Sequence, residues 1–377
     1  MSGYELQPFR PELLDEVARL ARQIRGGTHE QQLAYYEWKY LRNPYIAEPL
    51  LHLALKDGRA VGLRAFYGTC WESGAAGQRY VFPAESDSAV LEEHRGGDMY
   101  RRLGDALLAE AAGRGFTHLL NLRASPEMAV TAILSFGWKG LGPRGVLAIP
   151  GQEQPSEKPT PLRQRVPAPI RALVRKARGR LGRAPEHRSS VFASLDRSGP
   201  WIDQGVETRV TRSSAELAEV AGQVDRDARL QLARDEDFYR WRFASPAAEY
   251  RFLVARGEEP ETCGYLVLCK KQRPSVFVLD WQATTTAVAR QLLATAVSTV
   301  GVAALSTWSA SLSEDDVAML HDHGFVPAPK TGSVRWQKSL LVRPVADPDH
   351  EESWTLDGTQ LDAASSWNVR ATASDSF

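Results

Sequence analysis

The spacing of hydrophobic and polar positions predicts an interleaved series of helices and strands over the first 150 residues. Apolar residues recur at helical spacing over 11–25 and 30–41, and the runs at 50–56 and 60–73 read as strands. A turn from Gly74 to Gly77 leads into a strand over 79–91. Alternation along that strand places Tyr80, Phe82, Ala84, Ser86 and Ser88 on one face and Val81, Glu85, Asp87 and Ala89 on the other. Met99, Leu103, Ala106 and Leu107 form the buried stripe of a helix over Asp98–Ala112, ended by Gly113-Arg114-Gly115. A strand at Thr117–Arg123, a helix at 126–136 and a strand at 139–149 complete the block, which reads as α+β with an α/β-type order.

The same pattern returns further along the chain. Tyr36-Glu37-Trp38-Lys39-Tyr40, then Pro44 and a strand over Leu50–Lys56, matches Tyr239-Arg240-Trp241-Arg242-Phe243, then Pro246 and Tyr250–Ala255. Trp38 stands 24 residues before Gly62, and Trp241 stands 23 before Gly264. Each block closes on a helix followed by glycine and an aromatic: Phe136-Gly137-Trp138 and His323-Gly324-Phe325. Two copies of one fold are expected.

Composition changes this picture mainly at the boundaries. The 377 residues allow two or three domains, and 46 Lys+Arg balance 46 Asp+Glu, which excludes a uniformly basic nucleic-acid binder. The balance is uneven along the chain: 151–190 holds ten basic residues, three acidic ones and six prolines, whereas 344–377 holds seven acidic residues and one arginine. The expected division is therefore a first domain at 1–150, a basic Pro-rich linker at 151–205, a second domain at 206–343 and an acidic tail at 344–377. Within the linker, Ile170, Leu173, Val174, Ala177 and Leu181 alternate with arginines and Lys176 as in a short amphipathic helix. Such a helix either lies on a domain or meets nucleic acid, an anionic membrane or an acidic partner.

Three cysteines, Cys70, Cys263 and Cys269, form neither a disulfide framework nor a metal-ligand motif. The first residues lack a signal-peptide pattern, and the weakly polar run Leu292–Leu305 falls short of the roughly 20 residues that span a bilayer. The expected setting is the cytoplasm, with no membrane span and no metal.

The candidate chemistry lies where the strand over 79–91 runs through Asp87-Ser-Ala-Val-Leu-Glu-Glu-His-Arg95-Gly96-Gly97-Asp98 into a helix. A helix N-terminus offers unpaired N–H groups, glycines allow close approach of an anion, and Arg95 adds a cation. This strand, loop and helix, with the following strand His118–Arg123 and the helix ending in Phe136-Gly137-Trp138, resembles the GNAT superfamily of acyl-CoA N-acyltransferases. With the repeat, the whole chain resembles a tandem GNAT protein. The resemblance implies two splayed mixed sheets flanked by helices, with acetyl-CoA or another acyl-CoA in the opening of the first. It further implies that Arg95, Gly96, Gly97, Asp98, Met99 and Tyr100 form the pyrophosphate loop, and that the backbone of Ala89, Val90 and Leu91 pairs with the pantetheine arm. Asp98 and Tyr100 stand where the family has small residues, and Ile133 stands where it often has a tyrosine acid.

Transfer of an acyl group to an amine needs the amine neutral, so Glu85 and Asp87, on one strand face, are the candidate bases. Both also read as solvated carboxylates or as partners of Arg79 and Arg123. Asn121, in the middle of its strand, holds either a pantetheine amide or a buried backbone group. The second block has no Arg-Gly pair at the matching junction, and Thr284 to Thr286 there read as a helix cap. The leading expectation is direct acyl transfer from acyl-CoA to the amine of a small molecule, such as an amino sugar or biosynthetic intermediate. The alternatives are a non-catalytic GNAT-like binding protein and an aminoacyl-tRNA-dependent transferase that grips RNA with the basic linker.

Overall fold

Both blocks fold as mixed sheets flanked by helices, in the α+β class. The structure is a computed structural model and describes residues 3–74, 77–95, 97–149, 192, 202–203, 205–209, 213–225, 228–257, 262–270, 276–300, 305–328 and 338–374. The predicted basic helix of the linker lies outside the described residues.

In the first block, β1 (Glu5–Pro8), α1 (Leu14–Arg25) and α2 (His29–Tyr36) precede β2 (Leu50–Lys56), β3 (Arg59–Ser73) and β4 (Gln78–Val90). Then come α3 (Met99–Gly113), β5 (His118–Ala124), α4 (Pro126–Phe136), β6 (Lys139–Pro143) and β7 (Val146–Ile149). The second block contains β8 (Ile202–Asp203), β9 (Val206–Arg209), α5 (Ser214–Gln223), β10 (Leu230–Leu232) and α6 (Glu236–Arg242). It continues with β11 (Glu249–Arg256), β12 (Thr262–Lys270), β13 (Val276–Ala283), α7 (Thr286–Val300), β14 (Leu305–Trp308), α8 (Glu314–Asp322), β15 (Val326–Pro327) and β16 (Ser339–Pro344).

The two sheets exchange their last strands. The first sheet runs β1-β2-β3-β4-β5-β16-β6, so a strand from the end of the second block lies between β5 and β6. The second runs β15-β7-β14-β13-β12-β11-β9-β8, with β7 of the first block between β15 and β14. The predicted single strand over 139–149 is thus two. Pro143 removes a ladder donor and Gly145 adopts a φ of 59°, and the chain passes there from one sheet to the other. The sheets do not divide at residues 151 and 343.

The repeated aromatic motifs face each other across the pseudo-dyad that this exchange implies. Trp38 and Trp241 stack with ring centroids 5.2 Å apart. Each indole N–H donates to the other's main-chain carbonyl, at 2.7 Å from Trp38 and 2.9 Å from Trp241. Gly62 and Gly264 occupy matching places in β3 and β12: a Cβ on Gly62 would meet Met99 of α3 at 2.9 Å, and one on Gly264 would meet Val288 of α7 at 2.7 Å. Both helices therefore pack directly on backbone.

The described part of the acidic segment, residues 344–374, is packed against both blocks. Trp354, Leu361, Trp367, Val369, Ala371 and Ala373 join the core that both blocks share. Residues 367–368 pair in parallel with β10, and Trp367 meets Trp71 edge to face at 5.1 Å. Arg242, itself buried, donates to the carbonyls of Thr372 and Ser374 at 3.0 and 2.9 Å. The charge count pointed outward, but the two tryptophans and their apolar neighbours supply buried area that outweighs it.

Candidate functional site

An opening forms in the first sheet because β4 and β5 are parallel neighbours that touch at one pair, Ala84 opposite Leu120, and then part. Beyond Ala84, β4 keeps β3 on one edge and has no strand on the other among the described residues. A bulge interrupts the β3–β4 register here: Leu63 faces Ala89 while Ala65 faces Ser86, so β4 carries one extra residue. Asp87, within the bulge, has a φ of 60°, uncommon outside glycine.

The predicted cofactor residues lie along one rim of this opening. Val90 pairs with Gly62, Ala89 with Leu63, and the Leu91 N–H donates to the Val61 carbonyl at 2.9 Å. Arg95 is exposed and folds back to donate from Nε to the Val90 carbonyl at 3.0 Å. Gly96 lies outside the described residues, and the space a Cβ on Gly97 would occupy is open. Asp98 is the N-cap of this 15-residue helix, α3, but its side chain makes no capping bond, so it leaves the first N–H groups to another acceptor. Met99 is buried against Gly62, which leaves only its backbone on the rim. Tyr100 turns its ring inward, so the bulky residue at a position where the family has a small one leaves the loop free.

That inward turn is tied to a buried ion pair. Arg64 of β3 donates from Nε to Glu85 of β4 at 2.8 Å, with 5% of each side chain exposed. The Glu85 carboxylate also accepts from Tyr100 Oη at 3.1 Å, Ser88 Oγ at 3.1 Å and Asn121 Nδ2 at 3.3 Å. Asn121 thus reaches from β5 to β4 across the opening, while its Oδ1 accepts the Arg123 N–H at 3.1 Å. The Tyr100 ring covers the Arg64 guanidinium at 4.4 Å. Gly104 makes room, since a Cβ there would collide with the Arg64 guanidinium. Burial pushes the Glu85 carboxyl up, but the Arg64 charge and the hydrogen bonds from Arg64, Tyr100 and Ser88 outweigh it and hold it below its ordinary value. Tyr100 is raised by burial and by the Glu85 charge, so its hydroxyl keeps its proton.

Asp87 does not share a face with Glu85, contrary to the alternation read from sequence. The extra residue of the bulge turns it to the side of α1 and α2. There it pairs with Arg25 at 2.5 Å and with Lys39 at 2.5 Å, and accepts from Tyr40 Oη at 2.8 Å and Tyr35 Oη at 3.3 Å. Lys39 is fully buried and also donates to Ser86 Oγ at 2.6 Å. The two candidate bases are therefore separate, each held by fixed cations, and neither pairs with Arg79 or Arg123: Arg79 pairs with Asp235 at 2.7 Å.

Sequence reasoning passed over Arg64, Arg25 and Lys39. A signal for Arg64 was present: one charge inside the apolar run Val61–Phe66 of a buried strand demands a partner. The second block shows the contrast. The register places Leu266 and Val278 where the first block has Arg64 and Glu85, both in an apolar core. Only the matching aspartate persists, Asp280, paired with Arg234 at 3.2 Å. At the start of α7, Thr285 Oγ1 accepts the Val288 N–H at 3.3 Å, the capping expected of the threonine run.

No family model and no curated protein matches the chain. Solved structures do match. A conserved protein of unknown function from Enterococcus faecalis V583, described as a probable N-acyltransferase, aligns at 11% identity with a TM-score of 0.56. GCN5-related N-acetyltransferases from Anabaena variabilis ATCC 29413 and Kribbella flavida align at 12% and 13% identity, with TM-scores of 0.55 and 0.52. Each alignment covers 91% of this chain and 72% or 73% of the other. At these identities the likeness establishes the fold: this chain has the GNAT fold in two sheet bodies.

Proposed function

We propose that the protein is an acyl-CoA-dependent N-acyltransferase whose first block holds the donor, acetyl-CoA in the first instance, and passes its acyl group to the amine of a small molecule. The observation that carries this reading is the parting of β4 from β5 beside an uncapped helix N-terminus. The residues present fit an acyl-CoA: open space at Gly97, the start of α3 that Asp98 leaves uncapped and the nearby Arg95 suit a diphosphate, and the edge of β4 at Ala89 and Val90, which no described strand covers, suits an extended amide-bearing arm once Arg95 turns from the Val90 carbonyl to the diphosphate. When bound, the donor would supply a thioester; the neutral amine would form a C–N bond to its carbonyl as the C–S bond breaks, the nitrogen shedding its extra proton to water and the CoA sulfur leaving as thiolate to be protonated from water.

The protein's part is positioning and charge. In this reading a backbone N–H near Val90 meets the developing oxyanion, a role that needs no particular side chain. Glu85 stays ionised in its pair with Arg64 and fixes Tyr100 and Asn121 beside the opening; the acceptor's ammonium form loses a proton to water before attack. Asp87, tied to two cations, fixes the bulge. A cysteine relay is no part of this scheme, because burial pushes the Cys70 thiol up to about 11. Isothermal titration with acetyl-CoA tests the reading: saturable binding to the full chain supports it, and absence of binding to any CoA ester contradicts it.

A further inference from the structure

The strand exchange gathers three cations at one place. Arg123 lies on β5, two residues or about 7 Å along the strand from Asn121. Arg144 sits where the chain crosses from β6 to β7, and its N–H donates to the carbonyl of Lys338, the residue before β16, at 2.8 Å. The three come from both blocks and meet only because β7 and β16 have traded sheets.

None of the three makes an ion pair among the described residues. The Arg144 guanidinium lies over the Trp308 ring at 4.4 Å, and its Nε is buried with no hydrogen-bond partner among those residues. Burial pushes Arg144 down to about 10, and the charge of Arg123 pushes it the same way. Lys338 is likewise lowered, by burial and then by Arg123 and Arg144, with Glu127 of α4 as the opposing carboxylate. Like charges gathered on an aromatic face, partly out of water, are unfavourable until an anion joins them.

We propose that Arg123, Arg144 and Lys338 form an anion pocket at the β5 side of the opening that binds a phosphate or carboxylate group of the amine acceptor. The pocket stands on the geometry of this chain; that its anion belongs to an acceptor rests on the function proposed above. A guanidinium already stacked on an indole needs little further ordering to grip such a group in two places. The other source of the same chemistry is the 3′-phosphate of CoA.

The test uses the full chain and inorganic phosphate as the probe, at constant ionic strength, with thermal unfolding as the readout. Phosphate raises the wild-type midpoint, and Arg144→Gln and Lys338→Gln each remove at least half of the shift; equal shifts in wild type and both variants overturn the pocket. Two variants are used so that a folding defect in one leaves the comparison intact. A second arm measures acetyl-CoA and its 3′-dephospho analogue. Affinity for acetyl-CoA within twofold of wild type in Arg144→Gln supports an acceptor anion. A loss above fivefold, absent with the dephospho analogue, overturns that assignment in favour of the 3′-phosphate. Phosphate protection without any CoA binding leaves the pocket standing and sinks the acyltransferase reading instead.

Discussion

Arg64 and Glu85 illustrate how a buried charge pair shapes a site without adding much net stability. Each charge loses its hydration, and the attraction between them largely offsets that loss, so removing one partner is far worse than removing both. Arg64→Leu should destabilise the protein by about 3–5 kcal/mol. The double change Arg64→Leu with Glu85→Val, which copies Leu266 and Val278 of the second block, should recover most of that loss; urea unfolding of the three proteins measures both. The pH dependence follows from the same pair. Glu85 is held below its ordinary value in the folded chain, so its contribution is present above the unfolded carboxyl range near 4.3 and is lost as pH falls through the lower folded value. Glu85→Gln should therefore flatten the acid limb of the stability profile, in a series of unfolding curves between about pH 3 and 6. The place of Glu85 on the strand that leads to the loop was legible in sequence, but its partners were not, because Arg64 and Tyr100 lie 21 and 15 residues away and only the register of β3 and β4 and the turn of α3 bring them in.

At the level of elements, helices and strands were readable wherever one period dominated, as in α3 and β3. The bulge was not, since a single extra residue leaves the alternation of β4 intact on paper while moving Asp87 to the opposite face. The exchange of β7 and β16 was equally hidden: strands of four and six residues carry no mark of which sheet they will join. The exchange predicts that the blocks depend on each other. A chain ending at residue 150 lacks β16, which lies between β5 and β6, and should fail to give a cooperative unfolding transition by circular dichroism. The same dependence holds at the pseudo-dyad. Trp241→Ala removes a stacked ring and the buried hydrogen bond that its indole donates to the Trp38 carbonyl, and should cost about 3–5 kcal/mol in urea unfolding.

Over the whole molecule, the repeat legible in the aromatic motifs is a repeat of fold in which the side chains beside the corresponding helix differ. Both copies keep a one-residue bulge in the strand that leads to the helix; the first has the buried Arg64–Glu85 pair and a helix that Asp98 leaves uncapped, whereas the second has leucine and valine in place of the pair and caps the corresponding helix with Thr285. The packing of residues 344–374 across both copies was missed because net charge was weighed and Trp354 and Trp367 were not. The central claim is that one copy alone binds acyl-CoA, and calorimetric titration of the full chain with acetyl-CoA tests it most directly. The account predicts one site per chain, weakened by about 10–100-fold in Arg95→Ala through loss of a charged contact to phosphate, and unchanged in Thr285→Ala. Two sites per chain, or an affinity that Arg95→Ala leaves intact, would contradict it.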